Sequence, residues 1–327
     1  MTSRERVRNA ITFKEIDRVP ICGGWEADLG SDVYGPRWTF GKGYSQGSPG
    51  GTEKFWVDHW GSVWERKEDG VTGEVKTPLL DSWSKLKDYK APWDVIDDAD
   101  MSLVDGDCEN DERFMCGFWQ PIAMSPFQTM QYLRGTENLF MDMAMEEDEF
   151  FELKDMVHSW YVKMAKLLCS TKIDAIHLED DWGTQISLLI SPDMWREIYK
   201  PLYKEYCDIA HASGKLVIMH SDGMIDSIIP DLAEIGVNSI NAQLPCMDVA
   251  EVARKYHGVM SFWGGIDRQY LLPFGTPEEC AAQATQFCDE IYKYGKTGFV
   301  GECMHDKDAK PENVKAALMA FANYKFK

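Results

Sequence analysis

From about residue 114 onward, short apolar runs alternate with amphipathic stretches of helical period. The runs are FMCGFW (114–119), AIHLE (175–179), KLVIMH (215–220), VNSINA (237–242), VMSFWGG (259–265) and TGFVGEC (297–303), and RVPICGGW (18–25) is a similar run near the start. Runs this short, bounded by turn residues, predict buried strands. The stretches between them carry helix punctuation. SPDMWREIYKPLYKEYCDIAHASG opens with Ser191 as N-cap and Pro192 at the first helical position, and it stops at Gly214. TPEECAAQATQFCDEIYKYG carries a capping box, Thr276 with Glu279, and ends at Gly295. Strand and helix alternating at this cadence predict a parallel sheet covered by helices. The seven strand candidates approach the eight of a (β/α)8 TIM barrel, an α/β fold expected here as a single domain over residues 1–327. A doubly wound sheet is the competing architecture, but no Gly-rich dinucleotide fingerprint follows any strand. The segment 26–110 shows little periodicity and reads as long N-terminal loops over one end of the barrel.

Charge narrows the partners. A formal net charge of −20 argues against a general nucleic-acid binder, because phosphate contacts need a basic face, and against an anionic membrane surface. Much of the acid lies between Asp94 and Glu112 and between Met145 and Glu152, which reads as solvated helix ends and a surface loop. No apolar run approaches the roughly 18 residues of a membrane span. The opening MTSRERVRNA is charged, with no hydrophobic signal region behind it, so a cytoplasmic location is expected. Nine cysteines without a CxxC pair read as reduced thiols, mostly small core residues. Twelve tryptophans, several in polar, glycine-rich surroundings such as GGWEADLG, WVDHWGSVW and FWGGID, suit either core packing or the walls of a pocket for a flat ligand.

In a parallel barrel the chemistry sits where the strands end. Those ends deliver Glu179, Asp180, Asp181, Trp182 and Gln185; then His220, Ser221 and Asp222; then Asn241 and Gln243. The later ends deliver Trp263, Gly264, Gly265, Asp267 and Arg268, and finally Glu302, Cys303, His305 and Asp306. Imidazole, thiolate and carboxylate on one rim are zinc ligands by type, and a catalytic zinc keeps one position open to polarise a substrate heteroatom. His220 and Cys303 lead, with Asp222, Glu179 and His305 competing for the third place. The structural alternative is a strand-end histidine bonded to a carbonyl and a cysteine in the core. The acids of EDDWG repel one another unless a cation is near, which raises pKa values and makes a general acid. Alternatively, one caps a helix or pairs with an arginine while the others face water.

The opening MTSRERVRNAITFKEIDRVPI resembles the start of the uroporphyrinogen decarboxylase superfamily. So do LRGTENLFMDM, LEDDWGTQ, LISPDMWREIYKPLYK, HSDGMI, FWGGIDRQYLLPFGTPEE and PENVKA, in the same order and nearly end to end. The resemblance implies a (β/α)8 barrel. True decarboxylases of that superfamily carry an arginine-rich segment of the form RQAGRYLPEY that grips porphyrinogen carboxylates; the corresponding GGWEADLGSDVYG has no arginine. The other branch is the zinc methyltransferases that exchange methyl groups with a corrinoid protein. His220 matches their first histidine, and Cys303 matches their last cysteine, ten residues before Asn313. Their middle cysteine is Asp222 here, which implies a harder metal site suited to an oxygen-bearing methyl donor.

The function so implied is that of a corrinoid-dependent demethylase component. It would move a methyl group from a methoxylated, including aromatic, or N-methylated small molecule to cobalt(I). The implied cofactors are zinc and a corrinoid (cobalamin) carried by a partner protein. The metal ligands would be His220, Cys303 and Asp222. Glu179, Asp180 and Asp222 would be the catalytic carboxylates, with Asp181 a further candidate acid. Trp25, Trp182, Gln185, Asn241 and Trp263 would bind substrate. The partners are the small-molecule methyl donor and the corrinoid protein, without nucleic acid or membrane, and a homodimer is compatible with this reading. A metal-free decarboxylase of the same superfamily and a non-catalytic small-molecule-binding barrel are the alternatives.

Overall fold

The computed structural model describes residues 1–23, 29–41, 44, 52–68, 73–117, 123–303 and 308–326. The strands among them, in chain order, are β1 (Ile21–Cys22), β2 (Val33–Tyr34), β3 (Phe55–Val57), β4 (Val63–Glu65), β5 (Glu74–Val75), β6 (Phe114–Met115), β7 (Ala175–Glu179), β8 (Leu216–Ser221), β9 (Ser239–Ala242), β10 (Ser261–Gly264) and β11 (Phe299–Glu302). Contacts divide the chain into two compact units. One comprises Met1–Pro36, Gly106–Ala123 and Lys172–Lys327; the other comprises Arg37–Asp105 and Met124–Thr171.

The first unit holds a six-stranded sheet in the order β1-β11-β10-β9-β8-β7, with every neighbouring pair parallel. A parallel pair, β2 with β6, continues it at both ends. Asp32 N–H donates to Ile21 O at 2.8 Å beside β1, and Cys116 bridges in parallel to Ala175 at the start of β7. The sheet is therefore curled, and its two margins meet one strand pair. Strands β8, β9 and β10 are buried at every position, which is why their sequences read as continuous runs rather than alternating ones. Each of the seven apolar runs contains a strand. β2 lies in the segment expected to be loops: two residues between Asp32 and Gly35 are too short to show a period.

The helices start where their caps direct. Ser191 Oγ accepts from Met194 N–H at 3.1 Å, and the Thr276–Glu279 capping box is formed in full. The stretch from Ser191 to Gly214, expected as one helix, is two, Pro192–Ile198 and Lys200–Ala212. Pro201 is the reason, since it has no N–H to donate and its ring crowds the preceding turn. Beneath the sheet's first strands, Asp32 is almost wholly buried. It accepts from Arg6 Nη1 (2.7 Å), Arg18 Nη1 (2.7 Å), Ser3 Oγ (2.6 Å) and Ile21 N–H (2.9 Å). A buried carboxylate this well supplied with donors ties the N-terminal helix Ser3–Ile11 to β1.

The second unit contains the antiparallel sheet β3-β4-β5 and the helices Pro126–Arg134, Thr136–Met145 and Asp148–Cys169. Residues 37–105 are thus more than loops, and the tryptophans of WVDHWGSVW are packing residues. Trp56 stacks on Trp64 at 5.7 Å across the β3–β4 pair, and Trp60 is buried against Trp160 at 4.9 Å. The acidic run at 145–152 places Asp148 and Glu149 in the first turn of a 22-residue helix, where the helix dipole favours negative charge. Among the described residues, no helix is long and apolar enough to cross a membrane.

Candidate metal centre

Strands β7 and β8 lie in register so that Glu179 faces His220. Two residues further on each strand come Asp181 and Asp222, followed by Gly183 and Gly223. The glycines let the two exits touch backbone to backbone. Gly183 N–H donates to Asp222 O (3.1 Å), and Met224 N–H donates to Thr184 O (2.7 Å). A Cβ on Gly183 would stand 2.6 Å from Asp222 O. At Gly223, which has φ of +81°, a Cβ would stand 2.4 Å from the Gly183 carbonyl carbon. No other residue fits either position without movement of the backbone. Asp222 N–H then reaches Asp181 Oδ1 at 2.9 Å, and the two acids are held beside one histidine.

One donor atom each from Asp181, His220 and Asp222 lie within 4.8 Å of one another. His220 Nε2 is 3.5 Å from Asp181 Oδ1 and 3.6 Å from Asp222 Oδ1. The supports are as specific as the donors. His220 Nδ1 pairs with Asn241 Oδ1, and Asn241 Nδ2 donates to Glu302 Oε2 (2.6 Å) and to Trp263 O (3.2 Å). Arg268 donates to Asp222 Oδ2, while Asp222 Oδ1 is buried and has no hydrogen-bond partner among the described residues.

The electrostatics favour added positive charge. Burial pushes the His220 imidazolium down, but the Asp181 hydrogen bond and charge, then Glu179 and Asp222, more than offset it, and the pKa rises to about 10. Burial raises Asp222, with His220 and Arg268 opposing, and burial also raises Glu179. Burial acts on Asp181 in the same sense, but His220, the Asp222 N–H and Arg268 leave it below the usual carboxylate range. An imidazole nitrogen and two carboxylate oxygens, one of them the orphaned buried Asp222 Oδ1, suit a divalent cation, zinc included. Cys303, buried just beyond β11, stands outside this donor group, as does Glu179. His305 and Asp306 lie outside the described residues, as does Trp25.

His220, Asp222, Asn241 and Glu302 open on a cavity of about 200 Å³, which Gln185, Gln243, Cys246, Asp267, Arg268 and Tyr270 also line. Residues 116–324 match the uroporphyrinogen decarboxylase (URO-D) family. The chain belongs to this family. No curated protein sequence matches it. Among solved structures, a methyltransferase from Methanosarcina mazei shares 14% identity at a TM-score of 0.68, covering 98% of each chain. That likeness is one of fold. A 3-keto-D-glucoside 4-epimerase from E. coli matches 53% of this chain and 72% of its own, at 13% identity and a TM-score of 0.39. A sugar phosphate isomerase/epimerase from Parabacteroides distasonis matches 56% and 66%, at 12% and 0.33.

Within this URO-D family member the expected site residues separate. Gln185, Asn241, His220 and Asp222 meet at the cavity. Asp180 and Trp182 do not line it. Asp180 is fully buried and accepts from Tyr203 O–H at 2.6 Å. Trp182, also fully buried, donates from Nε1 to the same hydroxyl at 3.0 Å and meets Tyr199 edge-on at 4.6 Å. Both fasten β7 to the helix Lys200–Ala212. Trp263 is fully buried on β10, and among the described residues Tyr270 is the lining side chain with an aromatic hydrocarbon ring. Asp181, expected only as a candidate acid, is instead a donor of the metal group, and Arg268 and Glu302, strand-exit residues without an expected role, support it. The repeated acid-before-glycine pattern of DWG and DG was the signal for Asp181.

Proposed function

We propose that this URO-D family member is a corrinoid-dependent methyltransferase, its parallel strands closing as a (β/α)8 barrel. It would take a methyl group from a methoxylated or N-methylated small molecule and deliver it to cobalt(I) of a corrinoid protein. The observation that carries the reading is the Asp181–His220–Asp222 donor group beside a small cavity at the strand exits. The end-to-end fold likeness to a protein described as a methyltransferase supports it. The cavity of about 200 Å³ among the described residues has room for a small methyl donor.

A divalent cation such as zinc, held by His220, Asp222 and Asp181, would supply Lewis-acid polarisation of the donor's heteroatom. The protein's own groups do the rest. Asn241 orients His220, and Arg268 holds one oxygen of Asp222 so that the other faces the histidine. Gln185 and Gln243 present amides on the cavity wall to seat the donor. The methyl–heteroatom bond breaks with its electron pair left on the heteroatom, which takes up a proton, and the new carbon–cobalt bond uses the electron pair of cobalt(I). Glu179, its pKa raised by burial and in register with His220 though not itself a lining residue of the cavity, is the proposed proton source.

The test is metal analysis together with conversion of cob(I)alamin to methylcobalamin, followed by absorbance, with methoxylated aromatic and N-methylated donors. About one metal per chain is expected, with donor-dependent methylation, and both lost in His220→Ala. A metal-free protein that methylates cobalamin from no donor would overturn the reading.

A further inference from the structure

We infer that Asn241 is the positioning residue of this centre, holding His220 in the tautomer that can bind a cation, and that Glu302 fixes Asn241 for the task. The inference rests on the reading that Asp181, His220 and Asp222 hold a divalent metal.

The argument starts from a conflict. Two carboxylates face His220 Nε2, at 3.5 and 3.6 Å. A bound cation displaces one proton from His220, and left to themselves the carboxylates would keep the remaining one on Nε2, where a protonated nitrogen cannot bind a metal. The lone pair stays on Nε2 only if Nδ1 has a better acceptor. Asn241, opposite His220 in the β8–β9 register, supplies one: its Oδ1 meets Nδ1.

An asparagine amide can face either way, so something must set it. Here Nδ2 lies 2.6 Å from Glu302 Oε2 and 3.2 Å from Trp263 O, a carboxylate and a carbonyl that can only accept. Turning the amide over would place its oxygen against both and its NH2 against the imidazole N–H. Asn241 and Glu302 are only 3% and 5% exposed, so little of either side chain is open to bulk solvent. Strands β11, β9 and β8 thus pass one orientation from Glu302 through Asn241 to His220. Outer partners of this kind orient metal-binding histidines in general.

The experiment compares wild type, Asn241→Ala, Asn241→Asp and the double variant Asn241→Asp/Glu302→Gln. The probe is Co²⁺, titrated in competition with a chromophoric chelator. The second readout is proton NMR of the Co²⁺-loaded protein in water, where the shifted, exchangeable Nδ1–H of a bound histidine is visible. Asn241→Ala should weaken Co²⁺ binding about 10–100-fold and lose that signal to solvent exchange. Asn241→Asp should do the same by setting a second carboxylate oxygen against Glu302. The double variant should recover both readouts, because the glutamine amide can donate where the asparagine amide did. Wild-type affinity and an intact signal in Asn241→Ala, or a double variant no better than Asn241→Asp, would overturn the inference and leave the metal reading standing. A wild type that binds no Co²⁺ would overturn both.

Discussion

Gly183 and Gly223 meet backbone to backbone: a Cβ on the first would lie 2.6 Å from the second's carbonyl carbon, and a Cβ on the second 2.4 Å from the first's. This contact joins the exits of β7 and β8 and sets Asp181 and Asp222 on either side of His220. Gly183→Ala and Gly223→Ala should therefore each cost about 1–3 kcal/mol in urea unfolding and lower bound metal as well. Metal content unchanged in both variants would mean that the glycine contact does not shape the donor group.

The ligand set has its own test. Asp181→Asn should reduce metal affinity at least tenfold, about 1.4 kcal/mol, whereas Cys303→Ala should keep its metal. The reason is geometric, since Asp181 shares the donor group with His220 and Cys303 does not. Metal lost from Cys303→Ala but kept by Asp181→Asn, read by elemental analysis, would restore the thiolate as a ligand.

Tyr203→Phe should separate packing from chemistry. It removes the hydroxyl that donates to Asp180 and accepts from Trp182, leaving two buried polar groups short of a partner. A loss of about 1–3 kcal/mol is expected, with metal content and cavity ligation unchanged. A variant of wild-type stability that no longer binds metal would place Asp180 in the site after all.

The pH dependence of stability should show one identifiable carboxylate. A hydrogen bond from Arg6 Nε at 2.6 Å, with the Arg6 charge and against partial burial, lowers the Asp17 pKa to about 2. A folded-state value below the unfolded one means that the contribution is complete above about pH 4 and disappears as pH falls through about 2. Asp17 is 43% exposed, so screening keeps the effect small. Urea midpoints of wild type and Asp17→Asn should differ by a constant amount from pH 5 to 7 and converge near pH 2. A gap that persists at pH 2 would mean that the carboxylate charge is not its source.

The strand runs, the helix caps at Ser191 and Thr276, and the strand exits carrying His220, Asp222, Asn241 and Glu302 were all legible in the chain, because each is encoded by neighbours in sequence. The tertiary structure decided which acid does what. Adjacent residues of an extended chain point to opposite sides, so Asp180 turns outward to Tyr203 and Asp181 turns inward to His220. AIHLE is buried through its first four residues and gives no phase by which to foresee that choice. Asn241 and Glu302 are 61 residues apart in the chain, and only the curling of the sheet brings Glu302, on β11, to Asn241 on β9 and so to His220 on β8. Local pattern named the elements, while the close approach of two glycines and the handing of one hydrogen bond from strand to strand, both contacts between distant residues, made them a site.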